Sequence, residues 1–378
     1  MSTEIITGSG GRPPGGIGTA PNPADTRAAK RLGTRVLVVA SGEAEATAPH
    51  VDPVVSGLVI AGAVAHRTLR ALRKNYPDLV MMIEPTSTSV WATRELPFML
   101  DVSGIFPEGL DDVLDAQLQA GATVAVTPTA VFQAGDSDAM KAALEMVNKL
   151  KRDDFVFLLP IHYRWLDKAN IKQLIAIIKR SQHPVAIALV DSSSNPLEHA
   201  GAIPGYRRLF EAASWAMPWR ADLGAFDALA HGARAAVIGQ LPSLRRIALP
   251  GKGGFSSDKS DMSPHVLLRK LLRYRRSSKM QQDWFASAAP ETCPCPHCGG
   301  RAIDRFNGSD EQRLEAHLHN LHETTVMRRE IDGYTPEQIA AWWKQRLLDV
   351  EYERQALKGR IGVEVNLTPD VKEWLRES

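Results

Sequence analysis

Cys293, Cys295 and Cys298 stand within six residues of one another, and the 378-residue chain has no other cysteine. Thiolates so closely spaced on a tight turn are the donors a zinc ion takes, since Zn2+ is held by four N or S ligands in a tetrahedron. Pro294 and Pro296 in the run, and Gly299-Gly300 after it, preset a turn that aims the sulfurs at one centre. The fourth ligand is then an imidazole, and three follow on one helix-like stretch: His317, His319 and His322. His297 lies inside the turn, where geometry makes it a poor ligand. A finger built from Cys295, Cys298, His317 and His322 would leave Cys293 without a role. Four protein ligands leave no open position, so such a site is structural, not hydrolytic. A disulfide scaffold would spread an even number of cysteines along the chain, whereas this cluster points to a metal in a reducing cytoplasm.

A second set of chemically capable residues stands at the ends of short apolar runs: Glu84, Asp101, Thr127, His162, Asp191, Arg220 and Asp222. The runs themselves are 35–40, 57–62, 79–83, 97–101, 122–127, 155–160, 184–191, 214–220 and 234–239. Between them lie stretches such as 138–151 and 170–181, with apolar residues at helical spacing. Strands apolar nearly throughout, alternating with helices, predict a parallel sheet covered on both faces. Eight or nine such units in about 220 residues suit a (β/α)8, TIM-like barrel, an α/β fold whose functional residues lie at the carboxyl ends of strands. A doubly wound sheet is the alternative; no G-x-G-x-x-G follows an early strand to support its dinucleotide-binding form. Each strand-end acid could also be a helix cap, Asp191 before 192–196 in particular.

Apolar residues make up 44% and charged residues 23% of the chain, and the net charge is +2, so composition suits a globular protein and gives no overall bias toward a polyanion. A nucleic-acid footprint must therefore be local. The stretch 264–280 reads as an amphipathic basic helix carrying Arg269, Lys270, Arg273, Arg275, Arg276 and Lys279, with Tyr274 among them. Such a run is either a solvated face or a phosphate contact. There is no apolar run of 18 residues to span a membrane, and residues 1–30, rich in Gly, Pro, Ser and Thr, read as a disordered tail and not a leader. The expected organisation is that tail, a barrel over 31–262, the basic helix and a zinc-binding subdomain over 263–332, and a C-terminal helical segment over 333–378. Trp342 and Trp343 in the last segment are expected to pack on the body.

A C-x-C-x2-C cluster placed after a barrel and followed by a helix bearing His-Asn-Leu resembles the tRNA-guanine transglycosylase superfamily. Here that helix carries His319-Asn320-Leu321, so the resemblance selects His319 as the fourth zinc ligand. Two further segments are similar. Asp101-Val102-Ser103-Gly104-Ile105-Phe106 resembles the family's Asp-Ser-Gly-Gly-Phe with one extra residue, the aspartate there lying over the base pocket. Leu241-Pro242-Ser243-Leu244-Arg245-Arg246 resembles its Leu-Pro-Thr-Arg. The family's carboxylate nucleophile, counted back from Pro242, falls near Ile238, which cannot attack an anomeric carbon. Asp222 is the nearest acid and Asp101 the other, and a pair of carboxylates about an oxocarbenium-like centre would serve base exchange.

The resemblance spans roughly residues 75 to 330. It implies a structural zinc ion, a nucleic-acid partner contacted by Arg245, Arg246, Arg269, Arg273, Arg275 and Arg276, and a homodimer or heterodimer. The expected function is exchange of a guanine-type base in tRNA, or in DNA as in 7-deazaguanine modification. The alternatives are a non-catalytic homologue that binds nucleic acid or serves as an accessory subunit, and an unrelated barrel enzyme acting on a small molecule.

Overall fold

A computed structural model describes residues 22–85, 90–101, 108–191, 195–252 and 260–377. Eight short strands run β1 Val36–Ala40, β2 Ser56–Ile60, β3 Met81–Ile83, β4 Ala125–Val126, β5 Phe155–His162, β6 Val185–Asp191, β7 Ala216–Trp219 and β8 Ala236–Gly239. All their pairings are parallel, in two sheets of order β3-β2-β1-β8 and β4-β5-β6-β7. A ninth, β9 Ile247–Ala248, pairs with the end of β6 through Val190 and Asp191. β1 is hydrogen-bonded to both β2 and β8, the first strand to the last. Where the two sheets meet, Thr123 N donates to Met81 O at 2.7 Å beside β3 and β4, and Ala221 N donates to Val237 O at 3.0 Å beside β7 and β8.

The strands are buried on both faces, which is why they read as unbroken apolar runs. Alternate residues of all eight join one cluster, including Leu37, Val59, Met82, Val126, Leu158, Ala188, Trp219 and Val237. The intervening residues, Phe157, Ile187 and Ile238 among them, pack against helices. Those helices are α2 Ala44–Thr47, α3 Ala65–Asn75, α4 Leu110–Gln119, α5 Ser137–Lys149, α6 Ile171–Ile178, α7 Ala202–Ala212 and α8 Gly224–Ala230, whereas α1 Arg27–Leu32 packs Ala28 and Leu32 into the cluster shared by the strands. α1 buries Ala28, Ala29 and Leu32, so the stretch expected as a tail to residue 30 is already folded at 27; residues 1–21 lie outside the described residues.

Two expected elements take another form. The run 97–101 is not a strand; it makes one antiparallel bridge, Phe98 to Thr129, beginning at a proline that has no N–H to give a ladder. The expected basic helix over 264–280 is an antiparallel hairpin, β10 His265–Leu268 with β11 Arg273–Arg276, followed by the short helix α9 Ser277–Asp283. Leu272 at φ 45° turns the chain back, and neighbouring Val266 and Leu267 bury in two different clusters. A helix could not send adjacent residues to opposite sides as a strand does. Three helices complete the described chain: α10 Asp310–Glu330, α11 Pro336–Ile361 and α12 Pro369–Arg376. Trp343 is buried against Phe226, its Nε1 donating to Asp227 Oδ1 at 2.9 Å, and Trp342 packs beside it, as expected of both. Among the described residues no helix is long and apolar enough to cross a membrane.

Candidate functional site

The turn 293–300 is folded by its own backbone. Cys298 N and Gly299 N both donate to Cys295 O, at 3.0 and 2.8 Å, and Gly300 N donates to Cys293 O at 2.9 Å. Gly299 and Gly300 take φ 57° and 81°, a conformation that suits glycine, and this lets the loop close over the three sulfurs. α10 brings His319 to them: its Nδ1 lies 3.5 Å from each of Cys293, Cys295 and Cys298 Sγ. A tetrahedron with metal–sulfur and metal–nitrogen bonds of about 2.3 and 2.1 Å has S···N edges of about 3.6 Å. All four donors lie within 4.8 Å of one another and are buried, so the cluster could hold a metal ion such as zinc.

The second ring nitrogen of His319 is committed elsewhere, Nε2 lying 3.0 Å from Leu267 O, which suits an Nε2–H donor and leaves Nδ1 free to face a metal. Protons cannot rest comfortably here. Burial disfavours the charged imidazolium of His319, but Cys295 and Cys298 outweigh it and push its pKa up to about 10. Hydrogen bonding from the Cys293 thiol, opposed by burial, draws Cys298 down to about 3, while that same bond and burial drive Cys293 up. A divalent cation would replace that contest with four bonds. Asn320 clamps the same helix to the hairpin, its Oδ1 accepting from Leu267 N at 2.7 Å and its Nδ2 donating to His265 O at 2.8 Å. Leu321 packs toward β2 and β3. His317 and His322 are not part of the cluster.

Asp222 lines a cavity of about 250 Å3 with Arg245, Arg246, Arg273, His265 and Asp370. Its Oδ1 accepts from Gly224 N at 3.0 Å, and Asn195 Nδ2 donates both to Asp222 Oδ2 at 2.7 Å and to Asp370 Oδ2 at 3.1 Å. One amide thus holds two carboxylates together. Burial raises both, Asp370 to about 7 with Asp222 as the next cause. Asp370 and Asn195 were not foreseen. Asp370, after a proline at the start of a helix, reads as an ordinary first-turn acid, and it is 175 residues from Asn195. Asp101 is exposed and is not among the residues lining this cavity, so the structure does not bring it together with Asp222; the motif residues 102–106 lie outside the described residues. Ile238 is 1% exposed and faces the helices, not the interior shared by the strands.

The remaining strand-end residues divide by role. Glu84 and Arg220 form a bidentate ion pair from β3 to β7, Nε to Oε1 2.6 Å and Nη2 to Oε2 2.9 Å, which Trp219 Nε1 joins at 3.1 Å. Arg220 has φ 53°, an uncommon conformation for this residue type, and also donates to Arg246 O, so it pins the chain across the strand ends. Thr127 Oγ1 accepts from Leu158 N, and His162 Nδ1 accepts from Arg164 N, both local structural bonds. Asp191 meets His199 Nε2 at 2.8 Å, and Tyr163 stacks on that imidazole with centroids 3.8 Å apart.

The arginines expected to meet nucleic acid are largely engaged within the protein. Arg269 pairs with Glu323 and Glu330, Arg275 with Asp283, and Arg276 donates to Asp261 O and Ser263 O. Arg245 lies 3.2 Å over the Tyr274 ring and donates to Gly239 O and Gln240 O. Arg273 donates to Asn366 O, and Arg246 also has interactions of its own.

No protein-family model matches the chain, and no curated protein does. Among solved structures it is similar to dihydrodipicolinate synthase from Aquifex aeolicus, 11% identical with a TM-score of 0.33 over 91% of this chain and 96% of that one. It is also similar to the carboxyl transferase domain of Rhizobium etli pyruvate carboxylase, 11% identical with a TM-score of 0.35 over 96% of this chain and 64% of that one. A variant of that domain with pyruvate matches at 11% identity and a TM-score of 0.35, over 99% of this chain and 66% of that one. Likenesses of this size carry no inference about chemistry.

Proposed function

We propose that the chain is a transglycosylase-like enzyme that exchanges a guanine-type base in tRNA or DNA, built as a closed (β/α)8 barrel with a structural zinc subdomain. Closure is supported by the pairing of β1 with both β2 and β8, by the hydrogen bonds at the two junctions, and by the single apolar cluster fed from all eight strands. Zinc is supported by three equal S···N distances and by a donor set of three thiolates and one imidazole. When bound, the ion would cross-link the turn, α10 and, through His319, the edge of β10. The thiols suit a reducing cytoplasm. A dimer follows from the resemblance.

The observation that carries the enzymatic reading is the pair Asp222 and Asp370, held on one amide in a cavity walled by arginines. Two coupled carboxyls divide one proton between them. Each carboxyl accepts a backbone N–H and the Asn195 amide, but Arg245 and Arg246 favour negative charge on Asp222, which is therefore the ionised member. Its oxygen attacks the anomeric carbon as the bond to the base nitrogen breaks, and the proton on Asp370 passes to the departing base. The incoming base returns that proton as it displaces the carboxylate. Asp370 thereby takes the place expected of Asp101. Labelled guanine supplied with tRNA or with DNA is expected to enter one of them, with Asp222→Asn reducing the rate at least about a thousandfold and Asp370→Asn about a hundredfold. Absence of label in both polymers with metal-loaded protein would sink the proposal.

A second reading, a non-catalytic nucleic-acid-binding homologue, is favoured by Ile238 facing the helices and by Asp101 standing outside the cavity. It expects binding that weakens as salt rises, with no exchange.

A further inference from the structure

A second cavity, of about 360 Å3, lies between the carboxyl end of β8, residues 261–265 and the first two turns of α10. Gln240 lines it, 3% exposed, and among the described residues neither its Oε1 nor its Nε2 has a hydrogen-bond partner. His317 lines it from α10, 5% exposed; among the described residues its Nδ1 makes no hydrogen bond, the nearest acid, Glu43 Oε1, standing at the 4.0 Å limit of an ion pair. Buried polar groups are bonded in nearly all proteins, so two such side chains lining one cavity ask for something that enters it. Three cations also line it: Arg246, Arg276 and Arg313. The one acid among the lining residues, Asp261, is already occupied by the Ser263 and Ser278 hydroxyls. Among the described residues Arg313 is paired only with the fully exposed Asp310, a partner that an incoming anion readily replaces.

We propose that this cavity binds a nucleoside monophosphate. A carboxamide offers a donor and an acceptor side by side, the complement of the adjacent N6 amino group and N7 of adenine, and Gln240 has both free. Guanidinium groups are suited to the phosphate, which they take with paired, charge-assisted hydrogen bonds. The volume lies within the range of about 300–1,000 Å3 usual for small-ligand sites. The site shares the wall of Pro242, Arg246 and His265 with the Asp222 cavity, but Gln240, Arg276, Arg313 and His317 line it and not the other, and it does not rest on the exchange reaction.

Calorimetric titration of the full chain with AMP, adenosine, inorganic phosphate and a 5′-phosphorylated oligodeoxyadenylate tests this. AMP is expected to bind at least tenfold tighter than adenosine or phosphate. Gln240→Leu and Arg313→Gln should each weaken AMP at least tenfold. Because the Gln240 amide bonds to nothing among the described residues, Gln240→Leu should unfold at the same or a higher urea concentration than the parent, so lost binding cannot be charged to lost folding. Asp222→Asn, which ends base exchange on the reading above, should bind AMP undiminished. Tighter binding of the oligonucleotide than of AMP would identify a polymer end as the source of the nucleotide, and the reverse order a free nucleotide. Failure of AMP to bind, binding unchanged in Gln240→Leu, or phosphate alone binding as tightly as AMP would overturn the proposal.

Discussion

Asp370 is the side chain with most to say about this protein at the scale of single residues. It is 8% exposed, shares the Asn195 amide with Asp222, and has its pKa raised to about 7 by burial and then by Asp222. In the unfolded chain an aspartate titrates near 3.9, so between roughly pH 4 and 7 the folded state binds the extra proton. The stabilisation this brings is complete below about pH 4 and is lost as pH rises through 7. Asp370→Asn stays neutral throughout. Urea midpoints measured at pH 5 and pH 8 should therefore fall further for the parent than for Asp370→Asn. Equal changes in the two proteins would show that the carboxyl is not protonated in the fold. On the proposed mechanism the exchange rate should also decline above pH 7 as the acid loses its proton.

At the scale of elements, α10 does three jobs with three successive residues: His319 to the sulfurs, Asn320 to the edge of β10, and Leu321 to the layer beside β2 and β3. The jobs can be separated by substitution. Asn320→Ala leaves Leu267 N and His265 O short of a partner and should cost about 1–3 kcal/mol in chemical unfolding, with the metal retained. His319→Ala removes a ligand outright, and elemental analysis should find about one zinc per parent chain and almost none in the variant. A variant that keeps its zinc would show that His319 is not a ligand. The hairpin teaches a related lesson. Leu267, Leu268, Leu271 and Leu272 have helical spacing, yet the segment folds as two strands because Asn320 bonds along β10 while Val266 and Leu267 bury on opposite sides.

For the whole molecule, one buried charge ties the C-terminal helices to the parallel-strand body. Asp227 on α8 is fully buried and receives Arg207 Nε and Nη2 from α7 and Trp343 Nε1 from α11, and Arg207 Nη1 reaches Glu377 O beyond α12. Removing one partner of such a pair strands the other, at a cost of about 3–5 kcal/mol. Asp227→Ala should show that loss in urea unfolding and loosen α11 and α12 in hydrogen exchange. A loss under about 1 kcal/mol would mean the C-terminal helices are held by their apolar contacts alone. Asp370 sits on α12, so this anchoring also sets the position of a residue of the Asp222 cavity.

Local chemistry made some of this legible in advance. A metal turn needs sulfurs at short spacing with prolines and glycines about them, and strands buried on both faces must be apolar throughout; both are properties of contiguous residues, so the thiol turn and eight of the nine apolar runs could be read directly. The partner of Asp222 could not be. Asn195 and Asp370 meet it only because α12 packs back over residues 195–198, and nothing near residue 370 records that destination. The same holds for Asp191 with His199, for Gln240 and His317 at the second cavity, and for the arginines, whose charge is plain in the chain but whose engagement by Glu323, Glu330 and Asp283 is not. Which side chains are brought together depends on contacts distant along the chain, and those are set by packing of the whole.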